Sequence, residues 1–266
     1  MMKSSKRAGL IIGIVILLAV AGGLVVFMTK MMSGGHSGIN FGFNTTVSTN
    51  LVHDEEYELE PIKKISVKAD AADVNVEAKE DAKEIEVKIF TGDNMPYDVK
   101  QNDGVLEIEL KKTDCGFICW STETSVINVI VPESYAGDLY MNLDAGDVKI
   151  GELKNSNISM DMDAGDVEVK DSKDLRIKSD TGDIDIIHCG GILNIESDAG
   201  DVKIDALDLT GDSSIILDTG DIEIKNVGDI KVEAKKSIGD VDISGGNPKA
   251  ENVLTIKVDV GNIEVD

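Results

Sequence analysis

The stretch "DAGDVKI" at Asp144–Ile150 recurs as "DAGDVEV" from Asp163, "DTGDIDI" from Asp180, "DAGDVKI" from Asp198 and "DTGDIEI" from Asp218. Aligned on the second acid (Asp147, Asp166, Asp183, Asp201 and Asp221), the copies fall at intervals of 19, 17, 18 and 20 residues. Weaker copies extend the series: "SIGDVDI" from Ser237, "DVGNIEV" from Asp259 and, far upstream, "DAADVNV" from Asp70. Self-similarity at this period means one small unit stacked on itself. No other feature of the chain narrows the fold so far.

Apolar residues alternate on both sides of each turn. Leu139, Met141 and Leu143 precede the first and Val148 and Ile150 follow it; Leu175 and Ile177, then Ile184 and Ile186, flank the third. Period two means strands with one buried face. Two short strands cannot bury that face alone. Parallel stacking of successive coils about 4.8 Å apart closes the core and completes the backbone ladder. The expected fold is therefore all-β, a parallel β-solenoid of about eight coils, with 17–22 residues between successive corners.

Each corner residue has a mechanical reason. Gly146, Gly165, Gly182, Gly200, Gly220, Gly239 and Gly261 supply a backbone angle that a side chain resists. The first acid is expected to hydrogen-bond its own backbone two residues on, as an Asx-turn. The turn is then a seam. A second reading makes it a ladder of sites, because Asp147, Asp166, Asp183, Asp201 and Asp221 would stand about 4.8 Å apart. Each adjacent pair would repel by about 1 kcal/mol even in water. A divalent cation bridging coils would relieve this, and calcium accepts several oxygens at flexible angles. Weak calcium binding by these five acids is the one cofactor expectation.

Three places depart from the pattern. Before Gly239 an inward position falls on Lys236, which predicts a bulge or slipped register. The copy closing on Val265 and Asp266 is expected to be a bare terminal edge, blunted by Glu264 and Asp266. Between the copy at Asp70 and the main array, residues 84–132 alternate without a corner and read as an antiparallel insert. Thr113–Thr124 is expected to be a hairpin tip within it.

Leu10–Met28 is an uninterrupted apolar run of 19 residues. As a helix it would span about 28 Å, matching the hydrocarbon core of a bilayer. Lys3, Lys6 and Arg7 precede it and only Lys30 closely follows, so the rule that bases stay inside puts residues 1–9 in the cytoplasm. A competing reading is a secretory signal cleaved after Ala19-Val20-Ala21, leaving Gly22 first. Both readings export the body, residues 58–266. Residues 29–57, mostly Gly, Ser, Thr and Asn over Ser33–Asn50, read as a flexible extracytoplasmic tether, with His36 and His53 as bland tether residues. The formal charge is −24, and no acid precedes Asp54. A body so acidic repels nucleic acid and anionic headgroups, leaving cations and basic surfaces as partners.

Catalytic chemistry finds little support. The acids recur identically, whereas a hydrolase needs two carboxylates in different environments. Beyond the membrane run there is one arginine, Arg176, to steady an enolate. Cys115 and Cys119 could close a short, strained disulfide across the expected hairpin tip, or simply pack. Cys189 follows His188, but strand neighbours point to opposite faces and make a poor nucleophile–base pair. "CGFICW" at Cys115–Trp120 holds the only Trp and reads either as packed on the solenoid or as an exposed docking knob.

The apolar run, polar tether, interrupted first coil, "VIVP" strand at Val129–Pro132 and serial Asp-x-Gly-Asp turns resemble the "putative adhesin" family of β-strand-repeat proteins, a domain of unknown function. The likeness runs from about Glu58 to Asp266. It implies a LiaG-like single-span surface protein and supplies no catalytic residues. The expectation is a non-enzymatic binding or scaffold module of the bacterial envelope, meeting an envelope protein or wall polymer. The alternatives are an accessory of envelope-stress sensing working through a membrane partner and, last, a carbohydrate-active enzyme.

Overall fold

The computed structural model describes residues 46–48, 50–60, 62–92, 95–111 and 123–266. The apolar run, most of the expected tether, Cys115, Cys119 and Trp120 lie outside them. Every regular element among the described residues is a β-strand, as period-two alternation requires. The first five are β1 (Thr46–Val47), β2 (Leu51–Glu58), β3 (Lys64–Ala69), β4 (Ala72–Lys79) and β5 (Glu84–Phe90). Next come β6 (Tyr97–Asn102), β7 (Val105–Leu110) and β8 (Glu123–Pro132). The repeats follow as a strand before and a strand after each corner. They are β9 (Asp138–Ala145) with β10 (Val148–Leu153), β11 (Ile158–Ala164) with β12 (Val167–Ser172), and β13 (Leu175–Thr181) with β14 (Ile184–Cys189). Then come β15 (Leu193–Ala199) with β16 (Val202–Leu207), and β17 (Ser213–Thr219) with β18 (Ile222–Ile224). The last two are β19 (Lys231–Ile238) with β20 (Val241–Ile243), and β21 (Val253–Val260) with β22 (Ile263–Val265).

Strands before the corners form one sheet, in the order β19-β21-β17-β15-β13-β11-β9-β3-β7-β6. Strands after the corners join a second, β2-β5-β8-β4-β10-β12-β14-β16-β18-β22-β20, with β1 beside β8. Within the repeats every pairing is parallel. Val148, Val167, Ile184, Val202 and Ile222 therefore make one continuous inward row. Met141, Met160, Ile177, Ile195 and Ile215 face them from the other sheet, all buried. Each such side chain contributes about 1.5–3 kcal/mol on burial, so the core is a bundle of short aliphatic rows. Ser179 and Ser197 interrupt one row side by side, buried, with no protein partner for either hydroxyl.

The two C-terminal coils are not stacked in chain order. The strands β21 and β22 lie between the β17/β18 coil and the β19/β20 coil. The expected bare edge at Val265 and Asp266 is thus an interior coil, and the end of the stack is the copy at Lys231–Ile243. The expected bulge at Lys236 is likewise absent. Pairing runs unbroken from Lys231 opposite Val253 to Ile238 opposite Val260, with Lys236 opposite Val258. One physical reason covers both corrections. An interior coil is covered on both sides, and a lysine buried there would lose its hydration uncompensated. The copy with inward Leu254, Ile256, Val258, Ile263 and Val265 takes the interior slot, where all five are buried. The copy carrying Lys236 takes the end, where its ammonium reaches Asp240 at 3.8 Å.

The opposite end also differs from the sequence expectation. Strands β5 and β6 are antiparallel to their neighbours, but β7 pairs parallel with β3 and β8 parallel with β4. Strands β7 and β8 therefore stack as a further parallel pair rather than as the two arms of a hairpin, because they belong to different sheets. The expected hairpin tip lies, but for its last two residues, outside the described residues. The end of the expected tether is strand as well. Residues 51–58 form β2 along β5, with Lys88 reaching Asp54 at 3.8 Å.

At the corners, Gly182 has φ +141° and Gly261 φ +155°. A Cβ on Gly182 would stand 1.9 Å from the Gly165 carbonyl oxygen, and one on Gly261 1.8 Å from that of Gly220. Both the angle and the approach exclude a side chain. Since Gly261 is interior, Gly182→Val and Gly261→Val should destabilise alike, each by about 1–3 kcal/mol or more in urea melts. Gly151→Ala, whose Cβ would find its nearest neighbour at 3.4 Å, should stay near the parent. A Gly261 variant no weaker than Gly151→Ala would contradict the interior placement.

Candidate functional site

Five acids singled out by the repeat do come together, but as a stitch. Asp147 Oδ1 accepts the backbone N–H of Asp166 at 3.0 Å, Asp166 that of Asp183 at 2.9 Å, and Asp183 that of Asp201 at 2.8 Å. Asp201 accepts from Asp221 at 2.9 Å. The series begins with Asp73, which accepts from Asp147. It ends with Asp221 accepting from Asn262, and Asn262 Oδ1 from Asp240. This corrects the Asx-turn expectation. The bonding acid is the second of each corner, and its partner belongs to the next coil. Among the described residues none of the first acids, Asp144, Asp163, Asp180, Asp198 and Asp218, accepts such a bond.

The same geometry bears on calcium. One oxygen of each ladder carboxylate is committed to an amide, so a cation would have to work with the other. Among the described residues no three or more His, Cys, Asp or Glu side chains gather as metal ligands.

His188 and Cys189 take opposite faces of β14, as strand geometry demands. The Cys189 thiol is buried, which pushes its pKa up. His188 lies outside, with Nδ1 2.8 Å from Asp171 Oδ1 and Nε2 3.2 Å from Asp208 Oδ2. The Asp171 hydrogen bond raises the imidazole pKa, partial burial opposes it, and Asp208 adds to the rise. A histidine between two carboxylates clamps three successive coils. His53, read as bland, sits in β2 against Tyr57 and Tyr97.

Sequence reasoning missed a groove of about 370 Å³ on the outer face of the first sheet. Tyr140, Ser159, Arg176 and Asn194 are register neighbours on β9, β11, β13 and β15, forming one outward row. Lys64 of β3 places its ammonium 4.8 Å from the Tyr140 ring centroid, a cation–π contact. Asn157 donates through Nδ2 to Asp138 at 2.9 Å, and Asn194 Oδ1 accepts from Ser214 at 3.0 Å. Arg176 makes no ion pair or hydrogen bond through its side chain among the described residues. The one signal available beforehand was the solitary arginine itself, since the row draws on residues 17–19 apart that share no motif.

A two-sheet parallel solenoid with interlocked acidic corners defines a β-strand-repeat domain as a class. The chain belongs to the Toastrack DUF4097 family, whose model matches residues 62–266. No curated protein matches it. Among solved structures it is similar to a "putative adhesin" from Bacteroides fragilis, at 15% identity and TM-score 0.46, covering 83% of this chain and 99% of that one. A "putative cell adhesion protein" from Clostridium sporogenes is similar at 12% identity and TM-score 0.40, covering 80% and 97%.

The raised His188 pKa carries a sign. Its stabilisation is fully present below the unfolded value of about 6.5 and is lost as pH rises through the higher folded value. Relative to His188→Gln, the parent's urea midpoint should be highest near pH 6 and its advantage should fade towards pH 8. An advantage that is constant across that range would remove the imidazolium from the clamp.

Proposed function

We propose that this chain is a non-enzymatic binding or scaffold module, anchored in the membrane by Leu10–Met28 and displayed on the outside of a bacterial envelope. The observation that carries this reading is the use to which the repeated acids are put. They are consumed in joining coils, so the corners act as framework, and the broad outer sheet faces are left to meet partners. The acids at the groove's margin are similarly engaged. Asp138 holds Asn157 and Asp174 Oδ1 accepts the Ile192 amide at 2.9 Å, which suits a rigid rim better than proton transfer. The apolar run with three bases before it supports a single span with the solenoid outside.

A second reading is an accessory of envelope-stress sensing. In that reading the chain passes its signal to a partner in the membrane rather than binding wall material itself. Full-length protein recovered with a reversible cross-linker from intact envelopes separates the two. The binding-module reading expects wall polymer or a surface component to co-purify through the solenoid. Recovery of one membrane protein in fixed ratio, with no wall material, would transfer the case to the second reading. Protection of the solenoid from protease added to wall-permeabilised cells would overturn both.

A further inference from the structure

We propose that the groove around Tyr140 and Arg176 binds an acidic saccharide, a sugar unit carrying a carboxylate; this rests on the binding-module reading and names its ligand class. Tyr140 and Arg176 stand two strands apart on the same outward row with Ser159 between them. At about 4.8 Å per strand the two large side chains are about 10 Å apart at the backbone, over a floor only a serine high. That notch has the width of one sugar ring.

The lining is chemically mixed in the way a sugar requires. Tyr140 offers a ring, steadied by Lys64. With Oδ1 taken by Ser214, Asn194 has its amide NH₂ left to donate. With Nδ2 given to Asp138, Asn157 has its carbonyl left to accept. Alternating donors and acceptors beside an aromatic face fit hydroxyls on a ring. The guanidinium adds the charge selection. It is the only arginine beyond Arg7 in a chain of formal charge −24, and it is unpaired among the described residues. Arginine's planar fork matches a carboxylate in two-point contact. Asp138 and Asp174 also line the groove, but each already accepts a hydrogen bond, from Asn157 and from the Ile192 amide, whereas Arg176 is left to pair. Screening over about 8–10 Å at physiological salt limits the reach of the rest of the acidic body.

An acidic peptide would share the charge but not the fit. Strands β9, β11, β13 and β15 are each paired on both sides, so no free edge is offered for strand addition. The floor presents small polar groups rather than pockets for alternate side chains.

The test is calorimetric titration of the detergent-solubilised full chain with trigalacturonate, maltotriose and triglutamate. Saturable binding of trigalacturonate is expected, with maltotriose and triglutamate much weaker. Arg176→Gln should lower the trigalacturonate affinity at least about tenfold, the loss of one charge-assisted contact. Arg176→Lys should lose part of it, and Tyr140→Ala should weaken all saccharide binding. Each of these side chains points outward, so unchanged melting temperatures verify that the variants fold. No binding of trigalacturonate, equal binding of triglutamate, or indifference to Arg176→Gln would overturn the proposal. Wall material still captured by the Arg176→Gln chain would leave the binding-module reading standing while the groove assignment fell.

Discussion

Everything in this solenoid depends on one bond, from a corner carboxylate oxygen to the backbone N–H of the next coil. It runs through eight corners, from Asp73 to Asp240. Making it requires the corners to sit directly over one another, and that closeness excludes a Cβ from the neighbouring glycines. The same alignment keeps every inward aliphatic over its counterpart, so the core becomes rows. Asn262 is the informative member. It has no charge and still accepts from Asp240 at 3.0 Å, so the position requires an acceptor and tolerates loss of the anion.

A repeat that pairs with itself also has to stop. A free coil presents unpaired backbone groups and an inward face with nothing over it. Here the most apolar late copy is tucked inside and the copy bearing Lys236 is put outermost, although it comes earlier in the chain. The end coil still exposes Ile238, Val241 and Ile243. Its lysines and short second strand blunt the edge without covering it. At the other end β2, rich in Asp and Glu, runs antiparallel along β5 and plays the corresponding part.

Fold class, parallel stacking, the inward rows and the special glycines were legible in the sequence because each follows from a period. The order of the last two coils was not. Near-identical repeats offer near-identical pairing partners, and only the burden of burying Lys236 separates the two orders. Residues 105–132 misled for a related reason, since alternating strands without a corner resemble a hairpin until their sheets are known. The ladder's polarity was hidden because the two acids of a corner are chemically alike. Tyr140, Ser159, Arg176 and Asn194 form a row only once the register is set, so the groove could not be seen along the chain.

The frame and the face therefore answer to different chemistry, and the frame can be tried first. The most direct measurement is the urea midpoint of the full chain carrying Asp183→Asn or Asp183→Ala, each with and without millimolar calcium at matched ionic strength. If the carboxylate serves as an acceptor, Asn should remain within about 0.5 kcal/mol of the parent and Ala should cost about 0.5–1.5 kcal/mol, the worth of one hydrogen bond. Calcium should then move neither. An Asn variant as weak as Ala, or a parent stabilised by calcium in a way both variants lose, would show that the charge matters and contradict the stitch.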